Sequence, residues 1–144
     1  EPQTVRIALQ AAEAGALVLA TLHTKDAAEA VLRIEGMFPG EEQQLRSQLA
    51  LVLRAVFSQR LLRAAAGGRV LAAEALVAVP AVRSLIRTGK VAQLRGAILA
   101  GAAAGMQTMA QSVEALFGAR KITREVRDKA LADCGGVLAE VPPL

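Results

Sequence analysis

Aromatic residues, cysteine and histidine are nearly absent from this sequence of 144 residues. It contains no tryptophan or tyrosine, three phenylalanines, one cysteine and one histidine. Hydrophobic residues make up 53% of the chain, but aromatic residues only 2%. The core must therefore be built from alanine, leucine, valine and isoleucine, which favours closely packed helices over a sandwich centred on aromatic rings.

The scarcity of cysteine and histidine excludes several kinds of site. The single cysteine, Cys134, cannot form an internal disulfide, which indicates a reducing compartment. One cysteine and one histidine are too few ligands for zinc, so we predict no metal site. No serine has the sequence context of a nucleophile elbow. The segment "AAAGGRV" lacks the lysine and hydroxyl residue of a phosphate-binding loop.

The charge is modestly positive, with a net value of +4 and 17 basic residues, 13 of which are arginine. The arginines are scattered singly, and almost no aromatic residues are available to stack on bases, so we expect no nucleic-acid partner. The longest stretch without charge, residues 96–113, contains two glutamines, a threonine, a serine and three glycines. We therefore predict no transmembrane segment.

The hydrophobic pattern of the first third predicts a helix, a buried strand and a second helix. Apolar residues at helical spacing predict a helix over residues 3–14, which Gly15 ends. The apolar run 16–22 predicts a strand that is buried on both faces, as in a parallel sheet. Thr24 is the predicted cap of the next helix, with Asp26 in its first turn.

The remaining pattern predicts a hairpin followed by helices. "FPGEE" is typical of a turn, and a longer helix follows with Leu45, Leu49, Val52 and Val56 on one stripe. Two strands, residues 57–62 and 70–79, flank "AAAGG" as a hairpin, and Pro80 suits the start of a helix. We expect further helices over residues 91–100, 108–117 and 123–131, and a frayed tail at "EVPPL".

This order of elements predicts an α/β fold whose sheet is incomplete. A strand that is apolar on both faces needs neighbouring strands and covering helices, and the chain offers few partners for residues 16–22. We therefore expect that Glu1 is not the natural start of the domain and that the sequence is part of a longer protein.

His23 lies between the predicted strand and the predicted helix, flanked by Thr21 and Thr24. In open α/β sheets, this edge is where ligands bind, and a helix N-terminus favours an anion. The alternative interpretation is that His23 only hydrogen-bonds the backbone at the end of the strand. The residues alone leave both interpretations open.

Four segments in order resemble the secretion ATPase superfamily that drives type IV pili and type II secretion. They are "QTVRIALQAAEAGALVLATLHTKDAAEAVLRI", "MFPGEEQQLRSQLALVLRAVFSQRLL", "VPAVRSLIRTGKVAQL" and "GMQTMAQSVEALFGARKIT". The last two are similar to the PilT-type twitching-motility ATPases, the retraction motors of type IV pili. "AVRSLIR" matches their AIRNLIR motif, and "TLHT" matches their histidine box.

The resemblance implies a fold, a function and partners. Residues 1–79 would be the C-terminal part of a RecA-like P-loop ATPase core, and residues 80–144 a helical C-terminal subdomain. The intact protein would be a homo-hexameric motor that uses ATP and Mg²⁺ for pilus retraction. It would act at the cytoplasmic face of the inner membrane, against a platform protein of the pilus. The phosphate-binding loop would lie upstream, so these residues alone would be inactive.

The resemblance also implies roles for individual residues. His23 would be the catalytic-site residue that senses the γ-phosphate, and Thr21, Thr24 and Glu1 would contact the nucleotide. Arg83 and Arg87, four residues apart on one helix, would couple hydrolysis to movement. Ser84, which replaces the asparagine of the family motif, would lie between them.

This sequence departs from the family pattern in three other places. Ala16 stands where the family usually has a second histidine, and Ala110 where an acidic residue is common. The link "LRAAAGGRV" carries no cysteine, whereas export and assembly relatives usually have a four-cysteine zinc insert there. This favours the retraction type. The alternatives are a pilus-assembly or type II secretion ATPase, or a non-catalytic interaction module derived from one.

Overall fold

A single β-hairpin packs among seven α-helices in the computed structural model, which describes residues 1–134. Short 3-10 turns precede and follow α5, at Val91–Gln93 and Ala102–Ala104. The fold is α/β, as predicted, whereas the expected tail "EVPPL" lies outside the described residues. The elements are α1 (Pro2–Glu13), α2 (Ala27–Glu35), α3 (Glu42–Val52), β1 (Ala55–Arg63), β2 (Arg69–Val77), α4 (Pro80–Arg87), α5 (Leu94–Ala100), α6 (Met109–Gly118) and α7 (Arg124–Ala132).

Local sequence signals fix the starts of three helices. Pro80 opens α4, where its fixed φ suits the first turn and its missing N–H costs nothing. The hydroxyl groups of Thr108 and Thr123 accept hydrogen bonds from the backbone N–H groups of Gln111 and Val126, and so cap α6 and α7. These helices and their breaks were predicted, and the structure confirms them.

The predicted hairpin is confirmed, with a longer first strand and a second strand that ends two residues earlier than predicted. β1 and β2 are antiparallel, with a register that runs from Ala55 opposite Val77 to Arg63 opposite Arg69. The link of residues 64–68 turns at Gly67 and Gly68, whose φ values are 93° and 74°. Side chains rarely tolerate this left-handed region, so the two glycines permit the short connection.

The predicted strand over residues 16–22 is wrong for this chain. The segment has no regular secondary structure and pairs with no strand among the described residues, and Leu17 and Leu19 are 81% and 88% exposed. β1 and β2 pair with each other and leave this segment without a neighbour. Its apolar run is thus exposed, although it has the composition of a strand that is covered on both faces.

Two further expectations are corrected. Asp26, not Thr24, caps α2: Asp26 is extended (φ −148°, ψ 174°), and its carboxylate accepts a hydrogen bond from the N–H of Glu29 at 2.7 Å. Val56 lies in β1 rather than on the stripe of α3, which ends at Val52. Helical spacing alone cannot show where a helix gives way to a strand.

The interior consists of two hydrophobic clusters that meet along one face of β2. Leu76 belongs to the first cluster, which α2, α3, α4 and α5 also supply. Ala72 belongs to the second, which includes residues of α6 and α7. Because side chains alternate along a strand, Ala72, Glu74 and Leu76 face the same side. Glu74 therefore lies between the two clusters.

The first cluster joins residues on both sides of the predicted domain boundary. Leu76 precedes residue 80, and Val82 and Ile86 follow it, yet all three are fully buried together. The division into residues 1–79 and 80–144 stays a prediction. Within residues 1–134, none of the helices has the length and apolar character needed to cross a membrane.

The two faces of β2 make a matched test of this core. We expect Leu76→Ala to lower the free energy of unfolding by about 2–5 kcal/mol, since Leu76 is fully buried and truncation leaves a cavity. Leu71→Ala removes the same atoms from a half-exposed position on the other face and should cost about 1 kcal/mol or less. Urea denaturation followed by circular dichroism measures both, and equal losses would contradict the assignment of the faces.

Candidate functional site

His23 follows the segment of residues 16–22 and lies a short distance before α2. Its side chain and that of Thr21 are exposed, while Thr24 is half-buried. The backbone carbonyl of His23 accepts a hydrogen bond from Nη1 of Arg33, on α2, at 3.5 Å. The structure thus ties the backbone of His23 to α2 and leaves its imidazole free to reach a ligand.

The start of α2 is held by two carboxylates. Asp26 caps it from within, as described above, and Oε1 of Glu74 accepts a hydrogen bond from the N–H of Ala27 at 3.0 Å. Two of the first three N–H groups of α2 are therefore already donated to the protein itself. The anion expected at this helix N-terminus is supplied by these side chains, so a phosphate group would have to bind elsewhere.

Glu74 also holds the start of α6. Its Oε2 accepts from the N–H of Met109 at 3.4 Å, and the Glu74 side chain is only 7% exposed. Beside it, Oγ of Ser112 accepts from the N–H of Ala73 at 3.0 Å and also links β2 to α6. Sequence reasoning missed Glu74, although an acidic residue at an inward position of an apolar strand is a signal of this kind.

A cleft of about 340 Å³ lies beside Glu74, between the starts of α2 and α6 and helix α5. Three basic and three acidic side chains line it, so it favours no single sign of charge. Arg60 and Arg95 each donate to a backbone carbonyl at the end of α7, those of Asp133 and Cys134. The charged side chains that line the cleft are Lys25, Arg60, Arg95, Asp26, Glu74 and Asp133.

Cys134 also borders the cleft, but its environment makes the thiol a poor nucleophile. Partial burial raises the pKa of Cys134 above its usual value, although Arg60 and Arg95 oppose this effect. Its thiol group donates to the carbonyl of Ala130 at 3.1 Å. The thiol form is therefore favoured at neutral pH.

Arg83 and Arg87 lie in different environments on α4. Nη1 of Arg83 donates to the carbonyl groups of Ala50 and Leu51 at 2.6 and 2.7 Å, at the C-terminal end of α3. A cation at this end of a helix satisfies carbonyls that lack helical partners and complements the helix dipole. Arg87 is exposed. Arg83 thus joins α4 to α3, and the joint role of the two arginines stays a prediction.

Ser84 and Glu1 have exposed side chains. The backbone carbonyl of Ser84 accepts from the hydroxyl of Thr88 at 2.8 Å, which closes the last turn of α4. Glu1 precedes α1, and its side chain does not cap that helix. No hydrogen bond or ion pair within residues 1–134 brings Glu1, Thr21 or Ser84 to the imidazole of His23.

A part-buried ion pair connects the end of α2 to α3 and lies against the turn after α4. Nη2 of Arg46 lies 3.1 Å from Oε2 of Glu35, whose side chain is 7% exposed, and this carboxylate raises the pKa of Arg46. Gly89 has a φ of 69°, and a Cβ there would lie 2.7 Å from Nη1 of Arg46. The guanidinium group therefore needs a glycine at this turn.

The described residues contain no cluster of three acidic, histidine or cysteine side chains able to hold a metal ion. The N–H groups at the start of α2 are largely used. What remains is a pair of outward side chains, His23 and Thr21, that are exposed and open to a ligand.

Comparison with known proteins places the chain in context. Residues 1–127 match the family model described as type II/IV secretion system protein. The type IV pilus retraction ATPase PilT of Pseudomonas aeruginosa is 45% identical over 130 residues, which cover 89% of this chain and 38% of that protein. A twitching motility protein of Neisseria gonorrhoeae is 50% identical over 118 residues, covering 81% and 32%.

Two solved structures are also similar to this chain in fold and in sequence. The crystal structure of the pilus retraction motor PilT with bound ADP matches 90% of this chain, with a TM-score of 0.80 and 40% identity. The ATPase DotB of Legionella pneumophila matches 91%, with a TM-score of 0.79 and 26% identity. In both cases the chain spans 36% of the length of the matched structure.

The contacts of Arg83 predict that the two motif arginines contribute differently to the free energy of unfolding. Arg83→Met keeps the aliphatic stem but removes the donor from the last carbonyls of α3, so we expect a loss of about 1–3 kcal/mol in the free energy of unfolding. Arg87→Met, its matched control on the exposed side, should change stability by less than about 0.5 kcal/mol. Urea denaturation tests the pair, and an equal effect of both would show that Arg83 does not hold α3.

Proposed function

This chain belongs to the family of type II/IV secretion system proteins, and on that premise we propose that it is part of a motor ATPase that retracts type IV pili. The supporting observation is the combined likeness, in sequence and fold, to the pilus retraction motor PilT, at 40% identity and a TM-score of 0.80. Fold alone would not assign a function, but identity at this level over 90% of the chain favours shared chemistry.

The hairpin supports the retraction type over export and assembly relatives. Residues 64–68 connect β1 directly to β2. Two hydrogen bonds close this link: the N–H of Ala64 donates to the carbonyl of Gly68, and the N–H of Gly67 donates to the carbonyl of Ala64. This tight link leaves no room for the four-cysteine zinc insert that those relatives usually carry there. The proposal therefore names retraction rather than assembly.

In the proposed motor, ATP and Mg²⁺ bind mainly through residues outside these 144. When bound, Mg²⁺ neutralises the charge that develops on the phosphate groups during hydrolysis. From this chain, the exposed His23 imidazole faces the γ-phosphate and reports its presence, with Thr21 beside it. Thr24 and Glu1 complete the proposed nucleotide edge. The RecA-like nature of the core belongs to the same proposal.

The proposed assembly is a homo-hexamer at the cytoplasmic face of the inner membrane, acting on a platform protein of the pilus. Within each subunit, α4 would carry movement to that partner, because Arg83 fixes it to α3 and leaves Arg87 exposed. Arg87 and Ser84 then form the outward face of the motif helix.

The proposal first predicts that the 144 residues alone do not hydrolyse ATP. A phosphate-binding loop supplies most of the contacts to the phosphates in such motors, and this sequence has none. A coupled assay of phosphate release should give no turnover above background for the segment, and clear turnover for the intact protein. Substantial activity of the segment would contradict the prediction that it is inactive alone. An inactive intact protein would contradict the proposed motor function.

In the intact protein, His23→Ala should lower kcat for ATP by about 10- to 100-fold, as expected for a group that acts near the reacting phosphate. The KM for ATP should change little, since most binding contacts lie elsewhere. Gln43→Ala, at an exposed position of α3, is the matched control and should leave both constants unchanged. Unaltered kinetics in His23→Ala would make His23 a structural residue.

A further inference from the structure

Glu74 makes two hydrogen bonds whose donors lie far apart in the sequence. Ala27 is 47 residues before it, and Met109 is 35 residues after it. Each donor is the first residue of a helix, where the backbone N–H has no partner within the helix and the helix dipole is positive. One buried carboxylate thus binds the starts of α2 and α6 together.

We propose that Glu74 is a positioning residue that fixes the nucleotide edge, from Thr21 to Asp26, relative to α6. The inference rests on the proposed function, because it takes His23 to be part of that edge. The inference goes beyond the proposed function because it names the residue through which α6 and His23 influence each other.

The segment before α2 is tied to that helix by several hydrogen bonds. Arg33, in the last turn of α2, donates to the carbonyl of His23. The N–H of Lys25 donates to Oε2 of Glu29 at 2.7 Å, and the N–H of Glu29 donates to Asp26. The segment has no strand partner among residues 1–134, so these contacts and the anchor at Ala27 set where His23 lies.

The other end of the link is equally specific. Thr108 and Gln111 form a capping box at the start of α6, in which each side chain bonds the backbone of the other residue. The box leaves the N–H of Met109 without a partner, and Glu74 accepts it. A displacement of α6 therefore acts directly on the carboxylate that holds α2.

The acid cannot be replaced by its amide without losing one of the two bonds. A glutamine at this position accepts with its single side-chain oxygen, and its amino group then faces the second N–H, donor against donor. The volume stays almost the same. Glu74→Gln is therefore a near-isosteric change that cuts the link between the helices while preserving the packing.

Ser112→Ala supplies a matched control. It removes the buried hydrogen bond between β2 and α6 but touches neither α2 nor His23. If Glu74 served only to fasten α6 to the hairpin, the two variants would have the same consequences.

The experiment compares both variants with the wild type in the intact protein, by hydrogen exchange without nucleotide and by ATPase kinetics. In Glu74→Gln, we expect exchange to rise about tenfold at one of the two helix starts, over residues 23–29 or around Met109, as one hydrogen bond to a charged acceptor is lost. We expect kcat to fall about tenfold or more, with the KM for ATP within twofold. In Ser112→Ala, exchange should rise only near residues 109–113, and kcat should stay unchanged.

Unchanged exchange at both helix starts in Glu74→Gln would overturn the proposal, as would an equal loss of kcat in both variants. If the wild type does not hydrolyse ATP, the proposed function fails, and hydrogen exchange still decides whether Glu74 joins the two helix starts. Should Glu74→Gln fail to fold, Glu74→Asp keeps the charge but is one methylene shorter. It should raise exchange at one of the two helix starts, and protection of both equal to the wild type would contradict the link.

Discussion

The arrangement of this chain depends on how the buried carboxylate of Glu74 is satisfied. Glu74 lies between two apolar clusters, and leaving its carboxylate there without partners would cost several kcal/mol. The starts of α2 and α6 supply the missing donors, and both helices present the positive end of their dipole. The charge therefore specifies which helix ends meet over the hairpin, whereas apolar contacts alone would fit several arrangements.

Much of the fold was predictable because its signals act over a few residues. The caps at Thr108 and Thr123, the proline that opens α4 and the glycines of the hairpin link each form contacts within about four residues. Such short-range signals can be recognised from the sequence alone. The position of His23 at a junction between an apolar run and a helix was predictable for the same reason.

The features that escaped prediction depend on partners distant in sequence. The run at residues 16–22 has the composition of a buried strand, but composition cannot show whether neighbouring strands are present. The motif supplied Arg83, yet its contact with the end of α3, 32 and 33 residues earlier, required the structure. The choice of Asp26 over Thr24 as the cap depends on the backbone angles at each position.

The hairpin also bears on the order in which this chain folds. β1 and β2 are joined by five residues, so their pairing has a small loop-closure cost and forms early. The donors at Ala27 and Met109 arrive over much longer loops, and until they do the carboxylate of Glu74 favours water. Collapse that excludes water from β2 is thus unfavourable until both helix starts have docked. We therefore expect the acid to delay compaction until the native ends are in place, which would make the final docking step a cooperative one.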